Sequence, residues 1–155
     1  MLNPEKVGIS LPVEESKKYL LSTSDVLFAR TGNTVGKVYL HREQAEKCVY
    51  AGYLVRFRLN TKKILPDYLF LFTRSQFYKK WIENTVRVGA QPNINGQEYS
   101  TLPVLVPPIE LQEHVLSQAG SIETAKKEAF RNIYNIRKVI TCLMSGATIL
   151  EEAHV

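Results

Sequence analysis

Cysteine is scarce in this 155-residue chain: Cys48 and Cys142 lie far apart and form no CxxC pair. That excludes a disulfide framework and a thiolate zinc cluster, and suits a cytosolic protein with two ordinary thiols. Histidine is equally sparse. His41, His114 and His154 stand singly, whereas a zinc site gathers about four ligands, so no metal is expected. No apolar run approaches the roughly 18 residues that a membrane span needs. The opening MLNPEKVGIS has no basic stretch followed by an apolar one and predicts no secretory signal; a cytoplasmic location is expected. Also missing are a nucleophile elbow, an HExxH pair, a carboxylate pair set among aromatics, and a βαβ series with a glycine fingerprint. Asp25 and Glu98 are isolated carboxylates, read as surface charge or caps. The chain therefore reads as a non-enzyme with no cofactor of its own.

What is present is enough to build a core. Hydrophobic residues make up 45% of the chain, well above the range of disordered segments. The formal net charge is +5, and it is unevenly spread. Residues 1–108 hold 15 Lys and Arg against 9 Asp and Glu, while residues 109–155 hold 5 against 6. A basic globular part followed by a near-neutral tail suits a polyanion partner, because phosphate attraction is the first term in nucleic-acid affinity.

Residues 1–24 are polar and irregular. Asp25 to Arg30 reads as a strand, Thr31 to Asn33 as a turn, and Val35 to Leu40 as the returning strand of a hairpin. From Val49 to Leu59 the sequence alternates strictly. Val49, Ala51, Tyr53, Val55, Phe57 and Leu59 form an apolar face expected to meet the core, with Arg56 and Arg58 turned outward. Pro66 and Asp67 open a helical stretch whose stripe of Tyr68, Leu69, Phe72, Phe77, Trp81 and Ile82 reads as core, with a break expected at Ser75. Gly89 to Gly96 is a polar loop. Leu102 to Val106 reads as a short strand that ends at Pro107-Pro108.

Beyond the prolines the period changes. Val115, Ala119, Ile122, Lys126, Ala129, Ile133, Ile136, Ile140 and Leu143 alternate spacings of four and three, the mark of a heptad seam with one charged intruder. The helix would run about 43 Å at 1.5 Å per residue and end near Gly146. The expected fold is α+β: a mixed α/β globule over residues 1–107, a long coiled-coil-type helix over 108–145, and a tail over 146–155. A seam this long needs a partner helix, in the same chain, a second copy or another subunit.

Gly32-Asn-Thr-Val-Gly36-Lys37 resembles a phosphate-binding loop, but three residues instead of four separate the glycines and Val38 stands where a magnesium-binding hydroxyl is required. A turn in which Gly32, Asn33 and Gly36 supply unusual backbone conformations explains it better. The remaining chemistry is a set of polar and basic side chains on loops and strand ends: Arg30, Thr31, Asn33, Thr34 and Lys37 at the hairpin, Arg56 and Arg58 on one strand face, and Arg74, Arg87, Gln91, Asn93 and Asn95 in or near later loops. Arg suits guanine, Asn and Gln suit adenine, and Lys anchors phosphate. These residues are the candidate DNA-binding set.

The segment order then carries a resemblance. DVLFARTGNTVGKVYL, YAGYLVRFRLN, PDYLFLFTRSQFYKKWIENTV and GAQPNINGQEYSTLPVLVPPIELQEHV resemble the C-terminal target recognition domain of type I restriction-modification specificity subunits. The Pro-Pro, Leu111-Gln112-Glu113 and long helix are similar to that family's spacer. The resemblance implies a recognition globule that grips double-stranded DNA and a helix that packs antiparallel to a second such helix. It implies no catalysis by this subunit: S-adenosylmethionine belongs to modification subunits and ATP to a restriction subunit, which would be its partners. It also implies an assembly surface at Val115, Ile122, Ala129, Ile133, Ile136, Ile140 and Leu143, facing a second copy or a second specificity half. The chain departs from the family pattern in carrying one recognition domain and one helix instead of two of each, in shortened N-terminal strands, and in having Ser24-Asp25 in place of Gly-Asp. Two rival readings stay open: a half-subunit that acts only as a protein-interaction module, and a nucleotide-dependent enzyme that uses the Gly32–Lys37 loop.

Overall fold

A computed structural model of the chain describes residues 16–42, 47–86 and 91–145. The chain divides into two units, residues 1–112 and 113–155. The first is an α+β globule. Its strands are β1 (Val26–Ala29), β2 (Val38–Leu40) and β3 (Leu54–Phe57). They form an antiparallel sheet in the order β2-β1-β3. Helices α1 (Pro66–Phe72), α2 (Gln76–Thr85) and α3 (Gly96–Ser100) follow.

The central strand is buried along its whole length. Val26 and Phe28 point into the core with Leu40, Leu69, Tyr78, Ile94 and Tyr99. Each such side chain contributes on the order of 1.5–3 kcal/mol. The register sets Phe57 opposite Val26 and Val55 opposite Phe28, so β3 lays its apolar face on the same core. Arg56 stands opposite Leu27 on the other face, as the alternation requires.

The expected core face is correct only in its second half. Val55, Phe57 and Leu59 pack against the core, whereas Val49 and Tyr53 are exposed. The chain turns at Gly52–Tyr53, where the Leu54 N–H donates to Ala51 O. The strand therefore starts at Leu54, and Val49 makes only an isolated bridge to Leu20. The break at Ser75 is where expected: its Oγ accepts from the Tyr78 N–H at 3.2 Å and caps α2. Helix α2 buries Tyr78 and exposes Phe77, a correction to one position of the core stripe read from sequence; Leu69, Phe72, Trp81 and Ile82 lie in or against the core as expected.

Leu102 to Val106 is not a strand. Pro103 has no N–H to give a ladder. Leu102 and Val104 pack on the core while Leu105 stays exposed. Where the expected polar loop ends, at Gly96, helix α3 begins, an element that the sequence reading does not contain. Asn95 Oδ1 accepts from the Glu98 N–H at 2.9 Å and Glu98 Oε2 accepts from the Asn95 N–H at 2.7 Å, a reciprocal capping box.

After Pro107-Pro108 comes α4 (Ile109–Ser145). Its first turn is anchored by Gln112, a fully buried carboxamide. The Oε1 accepts from the Leu65 N–H at 2.9 Å, and Nε2 donates to Lys63 O at 2.9 Å and Pro107 O at 2.7 Å. In the second unit the seam residues Val115, Ile122, Ala129, Ile133, Ile136, Ile140 and Leu143 are all exposed. The expected helix end at Gly146 lies outside the described residues. Among the described residues no helix is long and apolar enough to cross a membrane.

Ser24 holds φ at 74°. That left-handed backbone strains a residue with a Cβ by roughly 1–2 kcal/mol. Ser24→Gly is therefore expected to raise stability by about 1 kcal/mol, read as a higher urea midpoint. An unchanged or lower midpoint would show that no strain is stored there.

Candidate nucleic-acid interface

The loop that joins β1 to β2 carries five of the polar residues singled out above, and its backbone is held from three directions. Gly32 and Gly36 sit at φ 71° and 81°, conformations that L side chains rarely adopt. Gly32–Thr34 forms a 3-10 turn, with the Val35 N–H on Gly32 O at 3.1 Å and the Lys37 N–H on Thr34 O at 2.9 Å.

From the side of β3, Tyr53 O accepts the Arg30 N–H at 2.9 Å. From the segment 91–94, Pro92 O accepts the Gly32 N–H at 3.1 Å, Arg30 O accepts the Ile94 N–H at 2.9 Å, and Thr31 bridges to Asn93. Ile94, with no exposed surface, plugs the core below this junction. The pairing brings Gln91 and Asn93, some 60 positions away in sequence, beside Arg30, Thr31 and Gly32. From the helices, Tyr99 of α3 donates its hydroxyl to Ala29 O at 2.7 Å and accepts from the Gly36 N–H at 3.2 Å. Tyr78 of α2 donates to Gly36 O at 2.8 Å. Ile82 fills the space beside Gly36, where an added Cβ would lie 3.0 Å from its side chain.

These tyrosines were not foreseen as part of the site. The only sequence signal for Tyr99 is its place one residue after the acidic end of the Asn95–Glu98 capping box. Both belong to an aromatic cluster: Phe28 and Tyr99 have ring centroids 5.0 Å apart, and Trp81 lies 5.9 Å from Tyr99. Burial pushes the Tyr99 hydroxyl up to about 12, partly offset by the Gly36 N–H it accepts. Burial pushes Tyr78 higher still, with the nearby Tyr99 adding to the shift.

The candidate residues thus fall into groups. Asn33, Thr34, Lys37 and Gln91 are exposed, and Arg30, Thr31 and Asn93 are half-buried around the same loop. The other group is engaged in the fold. Arg56 donates to Leu20 O at 2.9 Å, stacks over the Tyr50 ring at 4.9 Å and lies 3.9 Å from Asp25; it leaves the core face as the alternation requires, but its guanidinium is engaged within the fold. Arg58 gives its Nε–H to Asp25 Oδ1 at 3.2 Å with its side chain still largely exposed. Asp25 is buried, and its Oδ2 accepts from the Ser22 N–H at 2.9 Å; it is the internal counter-charge of two arginines, not a surface carboxylate. The Asn95 amide caps α3. Arg74 lies over the Phe70 ring at 4.9 Å, and Arg87 lies outside the described residues.

At the far end of the β1–β2 hairpin, a cavity of about 200 Å³ is lined by Thr23, Ser24, Leu40, His41, Arg42 and Asp67, and the Arg42–Asp67 ion pair spans 2.7 Å at its edge. Among the described residues no cluster of three metal-ligating side chains occurs.

Comparison with known proteins follows the same segments. A family described as the type I restriction modification DNA specificity domain matches residues 5–129. The specificity subunit of the type I restriction enzyme EcoKI from Escherichia coli (strain K12) is 28% identical over an alignment of 138 residues that covers 81% of this chain and 30% of that subunit. The chain thus spans under a third of the relative's length.

The two buried phenols give the loop an alkaline limit. With the folded pKa of Tyr99 near 12 against 10.0 in the unfolded chain, its contribution is fully present below pH 10 and is lost as pH rises from 10 through 12. Unfolding followed against pH is expected to be flat up to about pH 9 and to fall above about pH 10, with a shallower fall in Tyr99→Phe. An identical alkaline fall in that variant would place the titrating group elsewhere.

Proposed function

Because the chain belongs to the type I restriction modification DNA specificity domain family, we propose that its globule reads the sequence of double-stranded DNA as a non-catalytic recognition component of a restriction-modification complex, and that α4 serves assembly. The observation that carries this reading is the rigidly framed loop whose outward side chains are a cation and polar groups. Arg30, Thr31, Asn33, Thr34 and Lys37 share one rim with Gln91 and Asn93. Carboxamides and guanidinium groups recognise base edges in the major groove, and Lys neutralises phosphate. In this reading methyl transfer with S-adenosylmethionine resides on modification subunits and ATP-driven work on a restriction subunit, all in the cytoplasm, with this chain supplying the address.

For α4 the proposal is antiparallel pairing with a second copy or a second specificity half. The exposed seam supports it, since helices in proteins are held mainly by packing an apolar face. Charge supports the direction. The acids Glu110, Glu113 and Glu123 precede the cations Lys126, Lys127, Arg131, Arg137 and Lys138, with Glu128 among them. Antiparallel packing sets the acidic part of one helix beside the basic part of the other. Parallel packing would stack like on like and set Lys126 against its own copy.

Two experiments test the two halves of the proposal. Binding to duplex DNA is expected to weaken linearly in log affinity against log salt, and Lys37→Ala is expected to weaken binding alike for all sequences and reduce the salt slope by about 1. Salt-independent binding, or none with or without modification subunits, would leave the chain as an interaction module. In the helix, Ile133→Asp with Ile136→Asp is expected to abolish self-association in light scattering and lower helicity in circular dichroism. An unchanged oligomeric state, helicity and binding to modification subunits would remove the assembly role.

A further inference from the structure

Building on that DNA-reading proposal, we propose that Tyr99, supported by Tyr78, is a specificity-determining positioning residue: its hydroxyl sets the shape of the Arg30–Lys37 loop, and that shape sets which bases the rim selects. Gly36 is the pivot. Its N–H goes to the Tyr99 oxygen at 3.2 Å and to Ala29 O at 3.1 Å, and its C=O accepts from the Tyr78 hydroxyl at 2.8 Å. Both sides of one residue with φ at 81° are thus gripped by phenols from two separate helices. The Tyr99 hydroxyl also donates to Ala29 O at 2.7 Å. It therefore ties the last residue of β1 to Gly36, two residues before β2 begins, at the point where the hairpin opens into the loop.

The bonding pattern separates position from stability. If the Tyr99 hydroxyl is removed, Gly36 N–H and Ala29 O still have each other, so no buried group is orphaned outright. What is lost is the phenolic floor that also holds both ends, which leaves them joined only by their own main-chain bonds. Base-edge recognition tolerates only a fraction of an ångström of misplacement, because bidentate bonds from Arg, Asn or Gln need both contacts at once. A loop that relaxes on a Tyr99→Phe floor keeps its cations and hence its phosphate attraction, but blurs its choice of base. Tyr78→Phe acts in the same direction by releasing Gly36 O. Tyr68 provides a matched control, since its hydroxyl donates to Leu105 O at 3.1 Å, away from this loop.

The experiment uses the full chain, alone and assembled with modification subunits, and a random-sequence duplex pool from which the wild type's preferred site is selected. Affinities are then compared for the selected duplex, its single-base variants and a scrambled duplex. Tyr99→Phe and Tyr78→Phe are expected to lose discrimination by about tenfold or more with scrambled-duplex affinity within about twofold, and to exchange the Gly36 amide hydrogen faster. Tyr68→Phe is expected to match the wild type. If the wild type selects a sequence and both loop variants discriminate equally well, the positioning role is overturned while the DNA reading stands. Loss of fold in Tyr99→Phe, seen by circular dichroism, would make its role structural and overturn the inference. If the wild type selects no sequence, the DNA reading fails and the inference falls with it.

Discussion

A carboxylate buried at the mouth of the central strand constrains the arrangement of everything around it. Asp25 is 2% exposed, and a charge in that setting is tolerable only when cations and N–H groups surround it. It obtains an N–H from Ser22 and guanidinium groups from Arg56 of β3 and from Arg58 just beyond that strand. The main chain at Ser24-Asp25 exchanges bonds with His41, just after β2: the His41 N–H donates to Asp25 O, and the Ser24 N–H donates to His41 O. One residue thus requires β2 on one side of β1 and β3 on the other. With that end fixed by charge, the other end of β1 is fixed by phenols, and the loop between Arg30 and Lys37 emerges from a strand that has no freedom to slide.

This arrangement explains which parts of the fold were legible. Elements marked by local chemistry could be read: the hairpin around two glycines, the stop at Ser75, and the helix after two prolines with its four-three seam. The misreadings arise where a long-range partner decides. Alternation alone extended β3 back to Val49, because periodicity does not reveal that the chain turns at Gly52–Tyr53. Phe77 and Tyr78 are adjacent and both aromatic. Tertiary packing decides between them, and it buries the one whose hydroxyl has a carbonyl to meet. Leu102 to Val106 has a strand's composition, but strand formation needs a neighbour and a donor that Pro103 lacks.

Legibility of the site followed the same rule. Residue types that suit DNA chemistry could be picked out singly, but not sorted. Three-dimensional pairing separates Gln91 and Asn93, which join the hairpin loop through Thr31, from Arg56 and Asn95, whose polar groups are consumed by Leu20 O and a helix cap. Gln112 illustrates the converse. In the sequence it stands only within a resembling segment, with no role attached, yet its amide pairs three main-chain groups at once that would otherwise be left without partners in a buried setting.

The frame of the loop is made largely of main-chain bonds, glycine conformations and buried rings, whereas Asn33, Lys37 and Gln91 project from it into solvent. Substitution at an exposed position away from such features usually shifts folding by no more than about 0.5 kcal/mol. The chemical lettering of the tip can therefore drift across generations while the scaffold beneath stays intact. A lineage carrying this chain can try new side chains against new ligands without first passing through an unfolded ancestor.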